Sequence, residues 1–69
     1  MSSDKYDAIL LYMNEKKATV RPLKTREIAD GVGVSVYAAR HYLRELSDKN
    51  LVEADGKGKG QVIRWYLIK

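Results

Sequence analysis

Tyr37, Arg40, His41 and Arg44 are the residues of this chain whose types and spacing best suit chemistry. They fall in a stretch from Val36 to Asn50 that holds neither glycine nor proline. At about 100° per residue, a helix brings Tyr37, His41 and Arg44 to one face. Arg40 lies on the flank of that face, with Ala38 and Glu45 beyond. A guanidinium offers a fork of donors that matches guanine O6/N7 or a phosphate. Arg40 and Arg44 could instead pair with Glu45 or Asp48 on the same helix, for a few tenths of a kcal/mol. His41 can donate to a phosphate or a base edge, or simply stay solvated. Tyr37 can stack on a sugar, touch a thymine methyl, or pack on the preceding helix. Lys57 and Lys59, set among glycines, would act as point charges toward phosphates or as a solubilising loop.

Other chemistries lack their residues. There is one histidine and no cysteine, so a histidine cage, thiolate catalysis and disulfides are excluded. Glu27 and Asp30 come closest to paired carboxylates, but no acid–base partner accompanies them. Gly31-x-Gly33 lacks both the preceding strand and the third glycine of a dinucleotide fingerprint, and Gly56 to Gly60 lacks the Lys-Ser/Thr of a P-loop. No cofactor is implied, and the chain does not read as an enzyme.

The elements that must position these residues follow in order. The 69 residues allow one domain with a small core, and the 45% apolar content predicts folding. Ser3 or Asp4 can cap a first helix over 4–16. Tyr6, Ile9, Leu10 and Met13 form its apolar face, and Leu11 and Tyr12 widen it. Pro22 interrupts the next segment, where Val20 and Leu23 could anchor a short edge strand. Thr25 caps a short helix over 25–31 with Ile28 and Ala29 inward, and Gly31 and Gly33 bracket the turn that ends it. Ser35 caps the third helix, over 36–49, whose inner stripe is Val36, Ala39, Leu43 and Leu46. Asn50 can take the left-handed conformation that closes it. A hairpin spans 51–68, with a mobile Gly-Lys-Gly-Lys-Gly tip and Trp65 and Leu67 on the core side. Tyr66 or Tyr12 could remain exposed for a partner protein.

Helix, short strand, helix, turn, helix and hairpin make an α+β fold, the winged helix-turn-helix. In that order the third helix lies in the major groove and the wing reaches along the backbone. The net charge of +4 builds toward the C-terminal half and is mildly consistent with a polyanion. The candidate DNA contacts are Thr25, Arg26, Ser35, Tyr37, Ala38, Arg40, His41, Arg44, Lys57 and Lys59. No apolar run approaches the roughly 18 residues of a membrane helix. The acids near the start are unlike a signal peptide. Absence of cysteine suits a reducing cytosol. The rival reading is a winged-helix module that binds protein and not DNA.

One resemblance is specific. Ser35-Val-Tyr-Ala-Ala-Arg-His-Tyr-Leu43, then Leu51-Val52, Gly60 and Trp65-Tyr66-Leu67, resembles the small regulators of fimbrial operons, the PapI/FaeA type. Ala8 to Asn14 and Arg26-Glu-Ile-Ala29 are similar as well. The likeness implies a bacterial, cytoplasmic, nucleoid-associated transcriptional regulator of adhesin genes. It implies work on double-stranded operator DNA beside a global leucine-responsive regulator, and the expected state alone is a monomer. Two departures stand out: residues 15–24 look longer than the family's loop, and the Gly-Lys wing stands where a more arginine-rich tip is expected.

Overall fold

The computed structural model describes residues 4–56 and 63–68. Its elements are α1 (Lys5–Glu15), β1 (Leu23–Lys24), α2 (Thr25–Val32), α3 (Val36–Asp48), β2 (Val52–Asp55) and β3 (Arg64–Leu67). The strands form one antiparallel sheet in the order β1-β3-β2. Val52 pairs with Leu67 and Ala54 with Trp65, while Leu23 pairs with Trp65 from the other side. This is the expected winged helix-turn-helix, including the short third strand. The hairpin tip, with Lys57, Lys59 and the Gln61-Val62 start of the expected second strand, lies outside the described residues.

Local chemistry explains where the helices start and stop. The Asp4 carboxylate accepts from the Tyr6 N–H, and the Ser35 hydroxyl accepts from the Ala38 N–H. All three helices end on one backbone device. The Ala18 N–H returns to Met13 O, the Val34 N–H to Ala29 O and the Leu51 N–H to Leu46 O. Each closure passes through a left-handed residue: Lys17 (φ 61°), Gly33 (φ 78°) and Asn50 (φ 63°). Only Gly33 adopts that conformation without a Cβ penalty.

The core joins Ile9 and Met13 of α1, Ala18, Leu23, Ile28 of α2, Leu43 and Leu46 of α3, Val52 and Trp65. The Trp65 Nε1–H donates to the Thr25 hydroxyl at 2.8 Å, which ties the first turn of α2 to the central strand. Thr25 is therefore not the cap of α2. Lys24 holds that position, and the Glu27 carboxylate reaches back to its N–H. The Leu67 N–H donates to Ala18 O, so the segment after α1 is stitched to β3.

Four expectations about faces fail, each for a geometric reason. Val36 is 41% exposed, because the buried stripe begins one turn later at Ala39. Leu11 is 61% exposed, as it lies between the buried positions Ile9 and Met13 and points away from them. Val20 is 71% exposed and anchors nothing; the strand begins at Leu23. Gly31 is helical and does not make the turn, which Gly33 makes alone. A Cβ on Gly31 would overlap the Tyr12 ring, which packs half-buried against the core at that point.

That overlap has a measurable sign. Alanine in a helix is worth about 1 kcal/mol over glycine, whereas overpacking costs about 1–3 kcal/mol. Gly31→Ala should therefore destabilise the native chain. In a Tyr12→Ala background the clash is gone, and the same change should stabilise by about 1 kcal/mol. Urea melts of the four variants check this; equal effects in both backgrounds would mean that the ring does not occupy the glycine's face.

Candidate nucleic-acid interface

Helix α3 has two dissimilar sides. Ala39, Leu43 and Leu46 face the core, and its other side is open. There, Tyr37, Arg40, His41, Arg44, Glu45 and Asp48 line a shallow groove of about 350 Å³. The four candidates singled out first from the sequence therefore come together on one surface. Tyr37 is 83% exposed, so it does not pack on α2. Among the described residues, neither Arg40 nor Arg44 pairs with Glu45 or Asp48, and both guanidinium groups face solvent.

The remaining candidates lie apart from that groove. Arg26 is exposed on α2. The Thr25 hydroxyl is engaged by Trp65 and also approaches Ile63 O. The Ser35 hydroxyl accepts from the Ala38 N–H and so caps the helix start, which leaves its own O–H free to donate outward. Ala38 is half-buried. Lys57 and Lys59 lie outside the described residues.

Two residues carry a role here that the sequence did not suggest: Glu45, which lines the groove, and Tyr6 of α1, which holds Glu45 from the packed side. The Tyr6 hydroxyl donates to Glu45 Oε1, and its ring meets Tyr42 edge-on at 5.0 Å. Glu45 Oε2 lies 3.6 Å from His41 Nε2, one helical turn back. The spacing of four between His41 and Glu45 was visible as a helical pair. The partner in α1, 39 residues away, carried no local signal.

The Glu45 carboxylate raises the pKa of Tyr6, first through the hydrogen bond, with desolvation and nearby charge adding to it. A raised tyrosine pKa means that folding favours the protonated hydroxyl. The stability from this contact is complete below the ordinary tyrosine range, about 10. It is lost as pH rises through the folded-state value, because the unfolded chain ionises first. Tyr6→Phe should lower stability near neutrality and flatten the alkaline decline. The melting curves of the two proteins should converge at high pH; parallel decline would show that the hydroxyl makes no such bond.

Among the described residues no cluster of His, Asp and Glu could hold a metal ion, and no helix is long and apolar enough to cross a membrane.

Comparison with known proteins gives two similar regulatory proteins and a matching fold. The chain is 33% identical over 65 residues to the Escherichia coli fimbrial adhesin operon regulatory protein DaaF, covering 94% of this chain and 83% of that one. It is 32% identical to the Escherichia coli Dr hemagglutinin AFA-III operon regulatory protein AfaF, covering 94% and 73%. Among solved structures, the Lactococcus lactis zinc-responsive MarR family member ZitR superposes with a TM-score of 0.74 at 17% identity. That match spans all of this chain but 45% of ZitR, which has also been solved in complex with DNA. At such identity it shows the fold, a winged helix. The family model for FaeA-like proteins matches residues 5–69, nearly the whole chain, and with the two regulatory relatives it establishes that this chain belongs to the FaeA-like family.

Proposed function

We propose that the chain is a DNA-binding transcriptional regulator of a fimbrial adhesin operon. In this reading α3 enters the major groove, with Arg44 and Arg40 on guanine edges or phosphates and His41 and Tyr37 beside them. Arg26 contacts the backbone from α2, and Lys57 and Lys59 do so from the wing. Ser35 donates to a phosphate with the O–H that its capping bond leaves free, and Thr25 and Ala38 contribute at the helix starts through backbone and shape, the Thr25 hydroxyl being held by Trp65 and Ile63. One observation supports this above the others: two guanidinium groups without carboxylate partners among the described residues, on the open side of the helix that follows the turn. The names of the relatives, both operon regulatory proteins, support the regulatory role.

The same reading assigns the finer features. A small winged helix with few phosphate contacts binds weakly alone, roughly 10⁻⁴ to 10⁻⁶ M without sequence preference. The chain then acts as a cytoplasmic monomer at the nucleoid and gains specificity beside a leucine-responsive global regulator. Duplex from upstream of a fimbrial operon, titrated with salt in the presence and absence of that regulator, tests this. Binding with a steep negative salt dependence, tightened by the second protein, is the expected result. No retention of duplex at low salt, with a protein partner captured instead, would make the chain a protein-binding module. A tight dimer at micromolar concentration would overturn the monomer.

A further inference from the structure

The contact chain from Tyr6 through Glu45 to His41 links the packed side of the domain to its open groove. Tyr6 belongs to α1, and Glu45 and His41 belong to α3. Tyr6 holds one carboxylate oxygen of Glu45, and the other oxygen faces His41 Nε2 at 3.6 Å. The Tyr42 ring, itself braced by Tyr6, stands 6.0 Å from the imidazole. Lys49 Nζ lies 5.8 Å over the Tyr6 ring.

At 3.6 Å the His41–Glu45 contact is longer than a hydrogen bond. It is still close enough to choose between tautomers. A lone pair on Nε2 would face a carboxylate oxygen and be repelled, whereas an N–H there is attracted. A neutral His41 therefore keeps its proton on Nε2, toward Glu45, and leaves Nδ1 as an acceptor. We propose that His41 reads an exocyclic amino group in the major groove, adenine N6 or cytosine N4, with Glu45 and Tyr6 as the positioning residues that set its orientation and tautomer. This rests on the reading of α3 as the groove-facing helix. It reverses the donor role that the sequence suggests for His41. It also gives the groove two kinds of reader: guanidinium donors for guanine, and an imidazole acceptor for an amino group. An acidic residue on a surface that approaches phosphates otherwise weakens binding through like-charge repulsion.

The test is selection of duplexes from a randomised pool by the full chain, followed by binding of the selected duplex. Wild type should select adenine or cytosine at a position that loses its preference in His41→Ala. At that position, deleting the amino group (purine in place of adenine, 2-pyrimidinone in place of cytosine) should weaken wild type about two- to tenfold, the range of one net hydrogen bond. The same deletion should leave His41→Ala unchanged, and the analogue that matters identifies the base. Glu45→Ala should retain random duplex more tightly, because a negative charge has left the interface, yet select less sharply at the His41 position. Tyr6→Phe, which changes no charge at neutral pH, should lose sharpness at that position alone. A purely structural role for Glu45 would lower all binding together with the melting temperature. Selection of guanine or thymine by His41, or a His41→Ala loss that is equal on all duplexes with a flatter salt slope, would overturn the inference and leave the DNA-binding reading standing. So would undiminished selectivity in Glu45→Ala. Retention of no duplex by wild type would overturn both.

Discussion

Leu43→Ala should abolish the cooperative melt of this domain at ordinary temperature. Leu43 is fully buried in the middle of α3 and belongs to the cluster that joins all three helices to the sheet. Truncating such a leucine costs about 2–5 kcal/mol through lost transfer energy and the cavity left behind. A core of this size supplies only about 3–5 kcal/mol in total. Each kcal/mol moves the melting temperature of so small a domain by about 4–8 °C. The loss is therefore comparable with the whole stability. Val36→Ala is the internal control. It lies on the same helix and in the same apolar repeat, but it is 41% exposed and should change stability by less than about 0.5 kcal/mol. Far-UV circular dichroism through a urea titration reads both. If Leu43→Ala melts within a couple of degrees of the parent, the inner stripe of α3 is not the one described here.

That contrast between Leu43 and Val36 also marks how far the sequence is legible. The stripe Ala39, Leu43 and Leu46 follows from helical period alone, and so does the gathering of Tyr37, Arg40, His41 and Arg44 on the opposite side. The Ser35 cap and the left-handed Asn50 are local too, settled within a turn of helix. What period cannot tell is where a helix runs past its neighbours. Val36 and Leu11 carry apolar side chains at positions that suit a core, yet both stay exposed. Side chains that act across the fold are equally silent. Thr25 has the residue type and position of a helix cap, but Trp65, 40 residues on, takes its hydroxyl. Gly31 reads as a turn residue and instead makes room for the Tyr12 ring. Lys17 takes a left-handed conformation that its residue type does not advertise. Glu45 looks like one more solvated acid until Tyr6 is brought against it. The open face of α3 was therefore readable and its support was not, because the first depends on neighbours three and four residues apart and the second on chain closure.

Arg44→Ala and the pair Lys57→Ala with Lys59→Ala should fail in different ways. Base contacts specify and phosphate contacts position. Arg44 lies on the open side of α3 beside His41 and Arg40. If it reads a guanine, its loss should cost about 1–3 kcal/mol on the operator, roughly 5- to 150-fold in affinity, and much less on scrambled DNA. The two lysines belong to a Gly-Lys-Gly-Lys-Gly run with no aromatic or amide side chain to read a base edge. Their removal should weaken every duplex by a similar factor. If both touch phosphate, the slope of log affinity against log salt should flatten by about 1.8, at roughly 0.9 per contact. Salt titrations of the parent and both variants on operator and scrambled duplexes separate these outcomes. Equal losses for Arg44→Ala on the two duplexes would make it a phosphate contact and shift the burden of specificity to Arg40 and His41. No loss on either would remove α3 from the DNA altogether. The two guanidinium groups, without carboxylate partners among the described residues, would then mark a surface for an acidic protein partner, and Arg26, Lys57 and Lys59 would be left to hold a duplex, too few charges for more than a fleeting encounter at physiological salt.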